Sequence, residues 1–159
     1  MDCKLLAIDS STSSTGVGIF INGEYKSHQI IVTKNIKNKI DKFEMMMTSI
    51  CDLIEKESPQ IVVTELTVVS RNAEAQRNLS MLLGAIYYKC LELGIEYHSM
   101  RPTEWRKLVR DKDEKTPRKR EELKKWSQEK VHDLLGLNEI SDDISDAILL
   151  GMAYINKFD

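Results

Sequence analysis

Four acids stand out by type and position. Asp9 and Glu65 each close a short apolar run, and Asp143 and Asp146 lie three residues apart near the end of the chain. Carboxylates gathered in a small space repel, and some take up protons unless a cation neutralises them. Oxygen-only ligands suit Mg²⁺ or Mn²⁺, and a pair of such ions can activate water and stabilise a leaving oxygen in phosphodiester hydrolysis. No other cluster competes for this chemistry: His28, His98 and His132 are scattered. Cys3, Cys51 and Cys90 are odd in number, far apart and without CxxC spacing, which argues against a disulfide framework or a zinc site and predicts a reducing cytoplasm. The leading expectation is a metal-dependent nuclease.

The elements that must position these acids follow from the apolar pattern. Residues 4–9 and 16–21 read as strands separated by a polar stretch, Ser10 to Thr15. Asn22-Gly23 predicts a type I′ hairpin turn, with residues 24–32 as the third strand. Over residues 36–56, Ile40, Phe43, Met47, Ile50 and Ile54 recur at helical spacing. Residues 60–64 (QIVVT) are β-branched and continuously apolar, as in a parallel strand covered on both faces, and Glu65 follows directly. A helix over 73–93 carries Leu79, Leu82, Leu83, Ile86, Tyr87, Cys90 and Leu91, with Gly94 as its stop. Residues 96–100 form a fifth strand. Pro102 opens a helix holding Trp105 and Leu108, a charged loop runs from Asp111 to Thr116, Pro117 starts a helix reaching Leu135, and Ser141 caps a last helix to about Lys157. This order predicts an α/β fold, a five-stranded mixed sheet flanked by helices, as one domain over residues 1–159.

In a sheet where the strands ending at Asp9 and Glu65 are parallel neighbours, both side chains emerge at the same end, where α/β sheets place their sites. The bland alternative is that each acid merely starts a loop. Asp143 and Asp146 share a helix face bordering Ile144, Ala147, Ile148, Gly151 and Ile155. Acids in a first helical turn also favour the dipole, which explains Asp142 and partly Asp143 but serves Asp146 less well. Asp142 remains a competitor of Asp143.

The formal net charge is −2, yet between Arg101 and Lys130 there are twelve Lys or Arg against seven Asp or Glu. That local excess is what a phosphate-binding face needs. Its candidates are Arg106, Lys107, Arg110, Lys115, Arg118, Lys119 and Arg120, with Lys124 and Lys125 further on; the alternative for such a run is a solvated helix face. Trp105 and Trp126 either stack on bases or pack in the core. The opening Met-Asp-Cys-Lys followed by four apolar residues predicts neither a signal peptide nor a membrane span.

Four blocks now carry a resemblance: LLAIDSSTSSTGVGIF, IVVTELTVVSRNAEAQRNLSMLLG, IEYHSMRPTEWRKLV and DDISDAILLGMAY. In this order and at these separations they resemble RuvC-type Holliday junction resolvases over nearly the whole chain. The most specific matches are the strand Glu followed by Arg71-Asn72-Ala73 and the Asp-x-x-Asp-Ala of the final helix. The resemblance implies a ribonuclease H-like fold, a homodimer, symmetric cutting of four-way DNA junctions with Mg²⁺ or Mn²⁺, and Asp9, Glu65, Asp143 and Asp146 as the metal-binding acids. Arg71 and Asn72, close after Glu65, are placed to contact phosphate near the cut, and the resemblance implies a dimer contact from part of the helix after Asn72. The short, divergent form resembles phage-encoded members, which implies action in a bacterial host cytoplasm. The chain departs from bacterial members at Asp9-Ser10-Ser11, where Asp-Pro-Gly is common, and at Thr67, Val68 and Val69, where an aromatic residue is frequent. The first departure bears on the shape of that loop, the second on sequence and junction selectivity.

Two other readings stay open. A non-catalytic junction-binding protein would keep the acids without productive positioning. An actin-like or sugar-kinase ATPase also begins with a strand Asp, a Ser/Thr/Gly loop and a hairpin, but it needs a second domain and a second phosphate loop, which this length does not accommodate.

Overall fold

The computed structural model describes residues 3–66 and 72–158. The chain runs β1 (Lys4–Asp9), β2 (Ser14–Ile21), β3 (Glu24–Val32), α1 (Lys39–Glu57), β4 (Ile61–Glu65), α2 (Ala73–Leu93), β5 (Glu96–Met100), α3 (Pro102–Val109), α4 (Arg120–Leu135) and α5 (Asp142–Phe158). The sheet order is β3-β2-β1-β4-β5. The first three strands form an antiparallel meander, and β1, β4 and β5 run parallel. This is the five-stranded mixed sheet of a ribonuclease H-like fold.

Local chemistry sets the turns. Asn22 and Gly23 both have positive φ, 53° and 79°, as a type I′ hairpin requires. The Asn38 side chain accepts from the backbone N–H of Ile40 and Asp41, which starts α1 at Lys39 rather than at residue 36. Ser141 caps α5 as expected, its Oγ accepting from Ile144 N at 3.2 Å.

Strand alternation sends successive side chains to opposite faces. Leu6, Ile8, Val17, Ile19 and Val62 meet Met46, Ile50, Leu53 and Ile54 of α1 and Leu82, Leu83, Ile86 and Cys90 of α2. Leu5, Ala7, Phe20, Val63 and Met100 meet Trp105 and Val109 of α3, Trp126 and Val131 of α4, and Ile144, Ile148 and Leu149 of α5. Two helical stripes differ from expectation. In α1 the buried line is Met46, Ile50, Leu53 and Ile54, while Ile40 is 68% exposed. In α2, Tyr87 and Leu91 turn outward. Helical spacing identifies a stripe, but the direction of packing selects which edge of it is covered.

Helix α4 begins at Arg120 rather than at Pro117. The preceding loop is tied back to α4: the Trp126 indole N–H and the Lys130 ammonium both donate to Glu114, at 2.6 and 2.7 Å, and Lys130 also bonds Asp111. These anchors hold Pro117 within the approach to the helix. Trp126 is buried, so it serves the core and does not stack on bases. Strand β2 starts at Ser14, two residues early, because Ser14 and Thr15 pair with Val32 and Ile31 of β3. Strand β4 runs one residue further than expected, to Glu65, which pairs with Met100 of β5.

Candidate active site

Parallel pairing aligns Ile8 with Thr64, so Asp9 and Glu65 follow side by side at the carboxyl ends of neighbouring strands. Asp9 alternates with Leu5 and Ala7, and Glu65 with Val63, all on the face covered by α3, α4 and α5. Their side chains therefore rise on the same side of the sheet as the acids of α5.

Close packing brings α5 to them. A Cβ on Gly16 of β2 would lie 2.1 Å from the carbonyl oxygen of Asp143, and one on Gly151 of α5 would lie 2.2 Å from the Phe20 ring. Two glycines thus remove the bulk that would hold the helix off the sheet. Gly16 is also the β2 partner of Asp9, so the place of closest approach is beside the first acid. The Gly-Val-Gly of β2 is visible in the sequence, where it reads only as part of a strand.

Three of the four acids are held by a donor from a different element. Ser14 Oγ donates to Asp143 Oδ2 at 2.7 Å, Ser127 Oγ of α4 to Asp146 Oδ1 at 2.5 Å, and Trp105 Nε1 of α3 to Glu65 Oε2 at 2.6 Å. Asp142 turns instead towards Lys124 of α4, 3.6 Å away, so geometry separates it from Asp143. Sequence reasoning does not single out these donors as partners of the acids, because each lies 19 or more residues from its acid.

The electrostatics are those of crowded, partly desolvated carboxylates. Asp9 is pushed well above the usual aspartate range, first by burial and then by the charges of Asp146, Glu65, Asp143 and Asp142. Burial also raises Asp146, to about 7, against the Ser127 hydrogen bond and the Arg106 charge. Glu65 is raised by burial, with the Trp105 hydrogen bond and Arg106 opposing. Arg106 therefore stands at the acids. Its guanidinium carbon lies 4.8 Å from the Trp105 ring centroid, and its Nε is buried without a hydrogen-bond partner among the described residues.

The other basic candidates are spread more widely. Lys107, Lys115 and Arg118 are exposed and carry no ion pair among the described residues, while Lys119 pairs with Glu122 at 3.7 Å. Lys124 and Lys125 pair with Asp142 and Glu129. Asn72 caps α2, its side chain accepting from Ala75 N. It also lines a cleft of about 370 Å³ with Ser11, Thr12, Lys39, Lys42 and Phe43. Ser11 Oγ is engaged within its own loop, accepting from Ser14 N and donating to Ser14 O. Arg71, like Thr67, Val68 and Val69, lies outside the described residues.

The acids gather without forming a closed cage: among the described residues no three His, Cys, Asp or Glu side chains group tightly enough to hold a metal ion. The donor set nevertheless fits a hard divalent cation in chemistry, being all oxygen, with mutual repulsion that such an ion would relieve.

No family model matches the chain. It is 27% identical over 161 residues to the crossover junction endodeoxyribonuclease RuvC of Caldicellulosiruptor saccharolyticus, covering 96% of this chain and 92% of that protein. It is 23% identical over 158 residues to RuvC of Citrifermentans bemidjiense, with the same coverage of each. The chain is thus similar to RuvC proteins over nearly its whole length. The fold agrees: Thermus thermophilus RuvC, solved with a Holliday junction substrate, superposes with a TM-score of 0.72 at 16% identity, over 97% of this chain and 93% of that one. The yeast mitochondrial Holliday junction resolvase gives 0.67 at 12% identity, over 97% and 78%. The RuvC resemblance drawn from four sequence blocks thus extends to the whole chain. No helix among the described residues is long and apolar enough to cross a membrane.

Proposed function

We propose that this RuvC-like chain is a structure-selective endodeoxyribonuclease that resolves Holliday junctions, and other branched DNA, by metal-dependent phosphodiester hydrolysis. The carrying observation is the convergence of Asp9 and Glu65 from adjacent parallel strand ends with Asp143 and Asp146 from α5, on one face of the sheet. A non-catalytic binder has no use for acids whose burial and crowding raise their proton affinity.

Asp9, Glu65, Asp143 and Asp146 are the residues that would hold the metal, Mg²⁺ or Mn²⁺. When bound, two such ions supply an activated water and neutralise charge on the departing oxygen. The protein's own contribution is orientation. Ser14, Ser127 and Trp105 each occupy one carboxylate oxygen, leaving the other for a ligand. Arg106 sets a positive charge beside Glu65 and Asp146, where a scissile phosphate would meet it. Arg71, Asn72, Lys107, Lys115, Arg118 and Lys119 are proposed to hold the flanking DNA backbone.

The proposed assembly is a homodimer, which sets two sites against opposed strands of a junction. Its contact is the outer side of α2, where Met81, Tyr87, Tyr88 and Leu91 are all more than half exposed, a cluster of large apolar side chains that water does not favour. Acting as one domain over its whole length, with free Cys3, Cys51 and Cys90, the protein suits a reducing bacterial cytoplasm.

The test uses a labelled four-way junction beside linear duplex, flap and fork. The native chain is expected to cut the junction in Mg²⁺, whereas Asp146→Asn binds it with unchanged affinity and cuts at background rate. Cleavage retained by Asp146→Asn would refute the site.

A further inference from the structure

Two tryptophans in this chain donate their indole N–H to a glutamate, each at 2.6 Å: Trp126 to Glu114 and Trp105 to Glu65. The first pair pins a surface loop to α4. The second joins a wholly buried ring of α3 to an acid of the candidate site.

Glu65 is the last residue of β4, and its side chain has three rotatable bonds beyond the strand. A long side chain at a strand end is costly to order at the moment a ligand arrives. Trp105 removes that freedom in advance. Its ring is 0% exposed, packed in the core with Val63, Met100 and Ile148, so the N–H points from a fixed position. One oxygen of Glu65 is thereby held, and the other is left to face the site. Arg106, next in sequence, sits over the same indole ring, so both the anchor and its neighbouring cation are delivered by a single turn of α3.

We infer that Trp105 is a positioning residue for metal capture, acting through Glu65, and that the indole is a built-in reporter of metal arrival there. This rests on the nuclease reading for its catalytic consequence but not for its binding consequence. An indole whose N–H is bonded to a carboxylate feels any redistribution of charge on that carboxylate. Partners that orient a ligating group through its second atom commonly change metal affinity or activity by about 10- to 100-fold when removed.

The experiment uses the full chain carrying Trp126→Phe, which leaves Trp105 as the sole indole. Tryptophan emission is titrated with Mg²⁺ alone, without DNA. A saturable change is expected, absent when Glu65→Gln is added. In parallel, Trp105→Phe keeps the ring's bulk and loses the N–H. Its junction cleavage is expected to need about tenfold more Mg²⁺ for half-maximal rate, with junction affinity in metal-free buffer unchanged and the rate at saturating Mg²⁺ largely restored. An emission that ignores Mg²⁺, or a folded Trp105→Phe with native Mg²⁺ dependence, overturns the proposal and leaves Trp105 as core packing. Should Trp105→Phe fail to fold, the emission titration decides alone, since it retains the native Trp105. A chain that cuts no branched DNA yet shows the Glu65-dependent emission change supports metal positioning while refuting the nuclease reading.

Discussion

The two faces of the sheet are built from the same strands by alternate residues, yet they do different work. Against α1 and α2 the packing is apolar apart from the buried Thr64 of β4, bonded to the Tyr97 hydroxyl, and neither helix contributes a buried polar or charged residue among those described. Against α3, α4 and α5 the core is equally apolar along most of its length, but Ser127, Lys130 and Ser145 of α4 and α5 are buried, and four acids crowd its rim. Burying polar groups costs stability unless each is bonded, and here Ser127 and Lys130 each find a carboxylate, while Ser145 donates to the Ser141 carbonyl. One face supplies the free energy that allows the other to hold like charges together.

This contrast can be broken most forcefully by thinning the apolar face. Leu82→Ala removes a fully buried side chain and is expected to cost about 2–5 kcal/mol, measured by urea unfolding. Cleavage per folded molecule should stay near native at low temperature. A selective loss of cleavage would show that the two faces are not separable.

On the site face, Gly16→Ala forces a methyl against the Asp143 carbonyl, a backbone atom that cannot swing aside. A stability loss of about 1–3 kcal/mol is expected, with cleavage falling by more than the folded fraction does, because α5 is pushed from Asp9. Equal losses in the two measurements would mean that α5 need not lie so close.

A smaller effect concerns protons. Asp146 is raised in the folded state to about 7 from an ordinary 3.8, and Asp9 is raised as well. The folded protein therefore binds protons that the unfolded chain releases. The stability this contributes is complete below about 3.8 and is lost as the pH climbs through about 7. Metal-free protein should accordingly melt at a higher temperature at pH 5.5 than at pH 8, added Mg²⁺ should raise the melting temperature most at pH 8, and Asp146→Asn should flatten the slope. A flat profile in the native chain would show that burial and crowding do not raise the proton affinity of these acids in the folded state.

The gentlest perturbation is at the peripheral cations. Replacing Lys115 and Arg118 by Gln should weaken junction binding without changing the Mg²⁺ requirement, and should lower the slope of log affinity against log salt by about 1 for each phosphate no longer neutralised. An unchanged salt slope would assign both to the solvated surface.

The acids themselves are legible because strand ends and helical spacing are local: Asp9 after an apolar run, Glu65 after another, Asp143 and Asp146 one turn apart. The hairpin at Asn22-Gly23 and the Ser141 cap are equally local, each a matter of a few backbone angles and one hydrogen bond. Arg106 shows the limit. By sequence it belongs to a basic run suited to phosphate, whereas the fold sets it over Trp105 beside Glu65 and Asp146. The outward turn of Ile40 and Leu91 is likewise beyond periodicity, which gives the spacing of a stripe but not its partner.

Sequence alone therefore determined the order of strands and helices along the chain, and that Asp9 and Glu65 end strands while Asp143 and Asp146 lie in the last helix, since these follow from neighbours a few residues apart. Tertiary structure alone decided which donor holds each acid, Ser14 with Asp143, Ser127 with Asp146 and Trp105 with Glu65. It also decided that Asp142 faces Lys124 and that Gly16 gives α5 its seat on the sheet. Those donor–acid pairings join positions 19 to 129 residues apart, a distance at which only the packed chain, and no local propensity, sets which groups meet.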